Sequence, residues 1–414
     1  MVGIADQATP PIGGEIAPVD SLPISGVRRP WPWRMAFVHD YLTQYGGAER
    51  VLEVLHALDP SAPVFTSIVD PRALPAPFAS WDLRPSALNR VPGAARLHRG
   101  LLPLYPRMFR DLAPQLAAFD VVLADSSAWA HHAGTAPDTT LVCYCHSPAR
   151  FLYGDRDYLE PARMPPGVDQ AMTVLFAALR RADRQAATRV DRFVANSRNV
   201  AARIRRVYGR DVAVVYPPVD VARFAPAGAD EDPAPWFLVV SRLVPHKRID
   251  LAVDACTRCA LPLKIIGEGR AAIALQRRAG PTVEFLGRLD DAAVADHLRR
   301  CRALILPGVE DFGLTAVEAQ AAGRPVIAYR AGGAVESVVP WETGVFFDQP
   351  TPEALLRAIE LFEARRWEPW RARGNAARFS AARFLHEMTA EVEAAVAAKA
   401  RRRRTGRTGI LTGR

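Results

Sequence analysis

Residues 304–338 read LILPGVEDFGLTAVEAQAAGRPVIAYRAGGAVESV, and this stretch contains the clearest structural signals of the chain. The apolar run at its start, ended by a Pro-Gly pair, predicts a buried parallel strand. A helix released by Gly313 and a second strand follow, and Gly332-Gly333 forms a further tight turn. Strand–loop–helix units of this kind place helix N-termini at the carboxyl edge of one sheet, where N–H groups and positive dipole ends suit a diphosphate.

Two glutamates in this stretch are candidate ligand-binding residues. Glu310 lies in the loop before the predicted helix and Glu318 lies on the helix, with seven residues between them. One carboxylate can therefore reach a ligand portion beyond the phosphates, while the other reaches back toward a sugar such as ribose. By spacing alone, an unrelated loop acid and a solvated helix acid would be the simpler explanation.

The Glu-x7-Glu spacing with Phe312-Gly313-Leu314 inside it resembles the signature of retaining glycosyltransferases of family four. The resemblance implies the α/β architecture called GT-B, in which two doubly wound parallel-sheet domains face a cleft. It also implies that Glu310 contacts the transferred sugar. The residues that it assigns to the nucleotide sugar in this stretch are Phe312, Gly313, Leu314, Thr315 and Glu318, the last of them at the ribose.

Two cations follow the first strand of the second predicted sheet. Arg242 and Lys247 stand five positions apart across a Pro-containing turn. They can clamp a diphosphate that gains negative charge as the glycosidic bond breaks, and in the family an Arg-x4-Lys pair does so. A pair of solvated cations is the alternative interpretation.

Glycine turns and one histidine complete the predicted site. Gly46-Gly47, after the first strand, lets backbone approach a phosphate or a sugar, and it is similar to the amino-terminal glycine loop of the family. His146 ends a buried strand that faces the cleft, and the resemblance places it against the donor sugar, near the reaction centre. A histidine that only caps its strand is the alternative. Turns at Gly267 and Gly287 lie where the family holds the nucleotide base, largely by backbone.

The alternation of predicted strands and helices divides the chain into two domains. A Pro-rich linker joins an acceptor-side Rossmann-like domain to a nucleotide-sugar-binding Rossmann-like domain whose last helix is expected to cross back onto the first. The predicted segments are a disordered N-terminus 1–33, a first domain 34–216, a linker 217–235, a second domain 236–398 and a basic disordered tail 399–414.

The formal net charge of +9 does not indicate a nucleic-acid partner, because of where the charge lies. Seven of the basic residues fall in 399–414, which contains no acid, so the folded body is nearly neutral. Residues 83–110 contain six arginines and no acid, interleaved with apolar residues. Such a mixture can lie on an anionic membrane, and an ordinary domain surface whose leucines face the core is the alternative.

No apolar run approaches the ~20 residues that a membrane-spanning helix needs, and the N-terminus lacks a basic-then-apolar signal sequence. We therefore expect a cytoplasmic protein, with peripheral contact on the inner face of the plasma membrane as the sharper alternative. Cys256-x2-Cys259 is at most half a zinc site. Asp155-x-Asp157 matches the metal-binding pair of the other large glycosyltransferase fold, but no predicted strand precedes it. We predict no metal and no cofactor, since the nucleotide sugar is a substrate.

The resemblance is strongest to O-antigen mannosyltransferases, through residues 143–148, 216–220 and 240–245. It implies transfer of mannose from GDP-mannose, with retention, onto a glycan or polyprenyl-linked acceptor in the synthesis of a cell-surface polysaccharide. UDP-sugars are the main rival donors. A nucleotide-sugar epimerase of the same architecture and a non-catalytic nucleotide-sugar-binding subunit remain open, although the intact set of predicted catalytic residues argues against the second.

Overall fold

The computed structural model describes residues 31–93, 101, 103–154, 168–224 and 233–411. The predicted disorder before residue 31 and the Asp155-x-Asp157 pair lie outside these ranges. The strands are β1 Met35–His39, β2 Val64–Thr66, β3 Leu83–Pro85, β4 Val121–Ser126, β5 Thr140–Cys145, β6 Arg192–Ala195, β7 Val212–Val214, β8 Phe237–Val240, β9 Leu263–Ile266, β10 Val283–Gly287, β11 Leu304–Leu306, β12 Val326–Tyr329 and β13 Gly344–Phe347. The helices are α1 Gly47–His56, α2 Tyr105–Arg110, α3 Ala113–Leu116, α4 Arg150–Tyr153, α5 Val168–Ala187, α6 Arg198–Tyr208, α7 Ile249–Arg258, α8 Ala272–Arg278, α9 Asp291–Arg300, α10 Leu314–Ala321, α11 Ala334–Ser337, α12 Pro352–Glu363, α13 Pro369–Ala377 and α14 Ala381–Leu411.

The strands form two sheets with the same winding. The first has the order β3-β2-β1-β4-β5-β6-β7 and the second the order β10-β9-β8-β11-β12-β13, and the pairings within both are parallel. The strand order reverses between β1 and β4 and again between β8 and β11. At such a switch point the loops diverge and open a crevice at the carboxyl edge. The prediction of two doubly wound α/β domains is therefore confirmed.

Both faces of each sheet are covered, which explains why the strands read as nearly continuous apolar runs. Strand β4 illustrates the pattern. Val122 and Ala124 point into one core, while Val121 and Leu123 point into the other. Full burial of a valine or leucine stabilises the fold by ~1.5–3 kcal/mol, so these cores hold the carboxyl edges of the sheets in fixed positions.

The last helix, α14, packs on the first sheet although it follows the second sheet in sequence. Phe384, Met388 and Val392 are buried in the same core as Phe37 of β1 and Tyr144 of β5. The return of the chain to the first domain, which the family resemblance implied, is present in the structure.

The prediction of a disordered tail from residue 399 is wrong for the described residues, because α14 continues to Leu411. Lys399 Nζ lies 2.8 Å from Asp191 Oδ2 of the first domain, and Arg403 pairs with Asp138. The concentration of positive charge suggested solvated coil. Alanine and arginine are good helix formers, however, and these ion pairs hold the basic segment against acids of the first domain.

The predicted linker differs from the structure in its first half. Val219 and Phe224 are buried in the core below β8 and β11, and the short turn Val221–Arg223 lies between them. This half is therefore a packed part of the second domain, because its two apolar side chains find a core there. Residues 225–232 lie outside the described ranges.

Most described apolar side chains of the basic stretch 83–110 face inward. Tyr105 and Phe109 are buried in the core of the first domain, while Val91 and Leu104 remain about half exposed. Arg84 pairs with Asp82, just outside the stretch. Of the helices in the described residues, none is both long and apolar enough to cross a membrane.

Candidate active site

Polar side chains gather at the switch points of both sheets. In the first domain, β1 ends at His39, β4 carries Asp125, and His146 directly follows β5. In the second, Lys247 follows β8 and Glu310 follows β11. Because the carboxyl ends of parallel strands meet at one edge of a sheet, these residues lie at the crevices of the two domains.

In the first domain, Asp125 joins two histidines. Its Oδ2 lies 2.9 Å from His39 Nδ1 and its Oδ1 lies 2.7 Å from His146 Nε2. Glu49 Oε1 lies 3.8 Å from His39 Nε2 at the other end. Asp125 and His39 are buried, whereas the His146 side chain is 13% exposed. His146 is therefore the outer end of a buried chain of acids and imidazoles, which we call the histidine–aspartate cluster (Glu49, His39, Asp125 and His146).

The histidine–aspartate cluster shifts the proton affinities of its members. Burial disfavours a charged imidazole, yet hydrogen bonds to Asp125 and Glu49 raise the pKa of His39 to about 10. Burial likewise opposes charge on His146, but the carboxylate of Asp125 raises the pKa of His146 above its ordinary value. The two imidazoles hold the pKa of Asp125 below its ordinary value against the effect of burial. His146 thus stays charged further into the alkaline range than a free histidine.

The predicted Gly46-Gly47 loop connects this cluster to the cleft. The Gly46 N–H donates to Glu49 Oε2 at 2.8 Å, so the carboxylate that faces His39 also caps α1. Gly47 faces the second domain, where a Cβ added to it would lie 2.9 Å from Leu314 Cδ1. The starts of α1 and α10 therefore meet across the cleft.

In the second domain, Lys247 and Glu310 form an ion pair. Lys247 Nζ lies 2.5 Å from Glu310 Oε2, and both side chains are largely buried. The backbone permits this approach because Gly308 has no side chain: a Cβ there would lie 2.6 Å from Lys247 O. The Glu310 carbonyl accepts the N–H of Gly333 at 2.8 Å, which joins the two glycine turns of the stretch 304–338. The structure thus brings together two residues separated by 63 positions.

Arg242 adds to the positive charge near this pair, although its side chain is exposed. The effect is visible on His246, whose pKa is lowered to about 4 by burial and then by the charges of Lys247, Arg150 and Arg242. Burial disfavours charge of either sign, but the three cations beside His246 favour an anion at this place.

Contacts between the domains connect the loop of His146 to the loop of Glu310. Arg203 Nη1 donates to Ser147 Oγ at 2.6 Å and to Asp311 Oδ1 at 2.9 Å. Arg150 Nη2 also lies 2.7 Å from Asp311 Oδ1. One guanidinium therefore binds the residues that follow His146 and Glu310, which places those two predicted residues on the same cleft.

Glu318, predicted to bind ribose, belongs to a second set of contacts between the domains. Arg223 Nη2 lies 3.3 Å from Glu318 Oε1, and Arg223 Nη1 lies 3.0 Å from Asp291 Oδ2. Asp291 Oδ1 in turn lies 2.5 Å from Arg50 Nη2 of α1. Burial raises the pKa of Glu318, and the charges of Arg223 and Arg50 oppose the shift.

The remaining predicted residues divide into backbone and core positions. Phe312 is buried against Tyr216 and Phe379, with ring centroids 5.6 and 5.3 Å away, so its side chain supports the core instead of facing a ligand. Gly313 has φ +89° and starts α10, whose N-terminus carries no side-chain cap. Leu314 and Thr315 follow, half-buried, in the first turn. The uncapped turn leaves N–H groups for an anion.

Gly267 and Gly287 lie side by side at the ends of β9 and β10. The Gly267 N–H donates to Gly287 O at 2.8 Å, and a Cβ on Gly267 would lie 1.9 Å from Ser241 O. Gly287 has φ +67° and open space around it. The structure therefore brings these two predicted turns together beside the loop that carries Arg242.

Sequence reasoning missed His39, Glu49 and Asp125 in the first domain and Asp311 and Arg223 at the domain contacts. A signal existed for His39 and Asp125, since each is a polar residue at the carboxyl end of a strand that is otherwise apolar. Asp311 and Arg223 gave no comparable local signal.

Two family models match consecutive parts of the chain. The model described as Glycosyltransferase Family 4 matches residues 45–223, and the model described as Glycosyl transferases group 1 matches residues 223–379. Together they span well over half of the sequence, and they meet at Arg223, inside the packed half of the predicted linker.

Curated proteins with similar sequences agree with these matches. The GDP-mannose-dependent alpha-mannosyltransferase of Mycolicibacterium smegmatis is 36% identical over 187 residues, which are 41% of this chain and 48% of that protein. D-inositol 3-phosphate glycosyltransferase 2 of Catenulispora acidiphila is 31% identical over 201 residues, 41% of this chain and 47% of that protein. The chain thus spans about half the length of these curated relatives.

Among solved structures, HepE of Anabaena in complex with UDP and glucose is similar to this chain with a TM-score of 0.64. The sequences are 17% identical, and the similarity covers 87% of this chain and 99% of that one. At this identity the likeness shows the fold alone, with two sheets that face a cleft. Because the two family models together match residues 45–379, the chain belongs to the glycosyltransferases of the family 4 type, and it has the GT-B fold.

Proposed function

We propose that the protein is a retaining glycosyltransferase that moves mannose from GDP-mannose onto a glycan or polyprenyl-linked glycan in the synthesis of a cell-surface polysaccharide. The observation that carries the proposal is the Lys247–Glu310 pair, 2.5 Å apart at the switch point of the second sheet. Arg203 ties the loop of that pair to the loop of His146. A donor sugar in this cleft would have cations on its phosphate side and hydrogen-bonding groups on its hydroxyl side.

The diphosphate would be bound by Lys247, Arg242 and the uncapped start of α10. Negative charge on the diphosphate grows as the glycosidic bond breaks, so cations fixed beside it stabilise the transition state more than the bound donor. Lys247 would exchange part of its contact with Glu310 for a phosphate oxygen. That exchange would free the Glu310 carboxylate for the sugar.

Glu310 and His146 would hold the sugar ring from two sides. A carboxylate accepts hydrogen bonds from hydroxyls, and a protonated His146, bound through Nε2 to Asp125, offers its Nδ1–H as a donor. Transfer then proceeds on one face of the sugar. The acceptor oxygen forms its bond to the anomeric carbon as the bond from that carbon to the phosphate oxygen breaks, and the acceptor proton passes to that phosphate oxygen.

GDP-mannose is proposed because the Mycolicibacterium smegmatis relative carries that donor in its name. UDP-sugars are the rival donors, since HepE of the same fold was crystallised with UDP and glucose. A site that pairs a guanine edge leaves polar groups unpaired when uracil binds, at a cost of ~1–3 kcal/mol for each buried group.

A donor panel tests the proposal. Release of nucleoside diphosphate is measured for several GDP- and UDP-sugars with a polyprenyl-linked glycan as acceptor, and calorimetry compares GDP with UDP on the same preparation. We expect release from GDP-mannose with a glycoside as product, and GDP bound about tenfold more tightly than UDP. Tighter binding of UDP by a similar factor would overturn the GDP assignment. Product nucleotide sugar without a glycoside would indicate an epimerase, and binding without turnover a non-catalytic subunit.

We also propose that the first domain contacts an anionic membrane from the cytoplasmic side, which suits a lipid-linked acceptor. The support is the acid-free stretch 83–110, with Val91 48% and Leu104 49% exposed. Sedimentation with anionic vesicles should occur at low salt and fall as salt rises, because exposed charges are screened. Leu104→Ser should reduce pelleting, whereas Trp370→Ser, at an exposed apolar residue of the second domain, should not. Equal pelleting with neutral vesicles would contradict the proposal.

A further inference from the structure

A second polar cluster lies in the first domain, apart from the residues assigned to the donor. His131 and His132 lie in the short turn Ala130–His132 after β4, and Asp183 lies on α5. The Nε2 atoms of the two histidines are 3.0 and 3.1 Å from the same oxygen, Asp183 Oδ1. The ligand atoms of all three residues lie within 4.8 Å of one another, and all three side chains are buried.

The backbone that carries the two histidines is held by Asp40. Its carboxylate accepts four consecutive backbone N–H groups, from residues 127–130, at 2.6–2.8 Å. Asp40 itself is buried just after β1. The turn therefore presents His131 and His132 to α5 in a fixed arrangement, without needing any contact to the donor cleft.

Two further atoms of the cluster, His131 Nδ1 and Asp183 Oδ2, already contact neighbouring side chains. Ser126 Oγ lies 3.3 Å from His131 Nδ1, and the Tyr153 hydroxyl donates to Asp183 Oδ2 at 2.8 Å. Metal-binding histidines and carboxylates are usually oriented by such outer hydrogen bonds. These contacts leave the two Nε2 atoms and Asp183 Oδ1 facing one another.

Hydrogen bonding within the protein does not account for the cluster fully. His131 Nε2 meets Asp183 Oδ1 at 3.0 Å without the geometry of a hydrogen bond, so the protein does not fully satisfy this buried nitrogen. A buried polar atom left in this way costs ~1–3 kcal/mol, and a cation between the two atoms would remove that cost. The guanidinium groups of Arg180 and Arg189 donate instead to the backbone carbonyls of Leu152 and His132.

We propose that His131, His132 and Asp183 bind a transition-metal cation of the zinc class as a structural site. Bonds of ~2.0–2.1 Å in a tetrahedral zinc site separate ligand atoms by ~3.3–3.4 Å. The two separations from Asp183 Oδ1, 3.0 and 3.1 Å, lie within a few tenths of an ångström of these values, and the ligand atoms of the two histidines lie within 4.8 Å of each other. Two imidazole nitrogens favour zinc over magnesium, which prefers oxygen. This site departs from the expectation of no metal, which weighed the Asp155-x-Asp157 and Cys256-x2-Cys259 patterns.

Such a metal would fix α5 to the carboxyl end of β4. Asp125, at the centre of the histidine–aspartate cluster, is the neighbour of Ser126, which contacts His131. A cation here would hold the cleft edge of the first domain in place and would take no part in the transfer step. Its loss should therefore lower stability before it alters the chemistry.

The test measures metal binding by the full chain without a polyhistidine tag. The protein is stripped with a chelator, titrated with Zn²⁺ against a competing chromophoric chelator, and its zinc content is measured by elemental analysis after dialysis. We expect about one equivalent per chain and a higher unfolding temperature with zinc. His132→Asn and Asp183→Asn should weaken binding about 100-fold or more, while Cys259→Ser, at an exposed cysteine, should leave it unchanged.

Wild-type protein that retains less than about a tenth of an equivalent would overturn the proposal, whether or not the variants fold. Full zinc occupancy in a folded Asp183→Asn variant would overturn it as well. Loss of zinc in Cys259→Ser alone would reassign the metal to the Cys256-x2-Cys259 pattern.

Discussion

Replacing Asp125 with Asn tests the histidine–aspartate cluster, because it removes one charge and preserves the shape of the side chain. In the wild type the two carboxylate oxygens face His39 Nδ1 at 2.9 Å and His146 Nε2 at 2.7 Å. An amide offers one acceptor and one donor, so it can satisfy only one protonated imidazole. The other ring must lose its proton or lose its partner.

The expected loss of unfolding free energy follows from the raised pKa of His39. A rise in its pKa from 6.5 to about 10 corresponds to ~5 kcal/mol at ~1.4 kcal/mol per unit, shared between Asp125 and Glu49. Breaking one buried ion pair typically costs ~3–5 kcal/mol. We expect Asp125→Asn to lower the free energy of unfolding by ~3 kcal/mol near neutral pH, and to lower the pKa of His146 as well.

The raised pKa of His39 determines how the loss of stability in Asp125→Asn changes with pH. His39 has a raised pKa in the folded state, so its stabilisation is fully present below ~6.5 and is lost as the pH rises through ~10. The difference in unfolding free energy between wild type and Asp125→Asn should therefore be largest near pH 6 and shrink toward pH 10. Urea denaturation at a series of pH values measures it, with His146→Gln as a variant that keeps the His39–Asp125 pair.

Turnover gives the second readout of this substitution. A less charged His146 donates more weakly to the sugar, so Asp125→Asn should lose about 100-fold in turnover, with the loss growing as pH rises. A difference in stability that is independent of pH, together with near wild-type turnover, would refute the assigned charges and the role of the cluster.

Three further predictions concern the cleft and the last helix. Lys247→Ala should lower turnover about tenfold more than it weakens binding of the intact donor, measured by kinetics and calorimetry, because the charge on the diphosphate grows during bond breaking; equal losses would assign Lys247 to simple binding. Arg223→Ala should raise the pKa of Glu318 further, since one of the charges that opposes its burial is removed. Nucleotide affinity should then fall at a higher pH on acidification than in the wild type, and calorimetry at several pH values would show an unchanged profile if Glu318 does not bind ribose. Lys399→Ala removes an ion pair with Asp191 that is largely buried and should cost ~1–3 kcal/mol in urea denaturation, whereas a cost near zero would indicate that the end of the helix does not anchor to the first domain.

The site of the second domain was predictable because its signals are local. Glu310, Gly313 and Glu318 lie within one strand–loop–helix unit, and Lys247 follows a strand that the apolar pattern marks clearly. The histidine–aspartate cluster depends instead on strand register. His39 and Asp125 are partners in the parallel pairing of β1 with β4, and no local pattern specifies a register between residues 86 positions apart.

Three features of the structure did not follow from the local sequence, and they have related causes. The charge run after 399 indicated coil, but contacts with acids of another domain hold it as a helix. Phe312 lies beside a glycine turn, and only the fold shows that its ring enters the core between Tyr216 and Phe379. The linker contained prolines, yet Val219 and Phe224 supplied enough apolar surface to pack. In each case a tertiary contact overrides a local tendency.

The turnover of Glu310→Gln with GDP-mannose and a competent acceptor tests most directly whether Glu310 acts on the sugar. The substitution keeps the size of a side chain that is 13% exposed and removes the charge that pairs with Lys247. We expect unchanged folding, donor affinity altered by a few-fold at most, and a loss of turnover of about 100-fold or more, because Glu310 acts on the sugar in the transition state. Turnover close to that of the wild type, with the same retained glycoside as product, would contradict it.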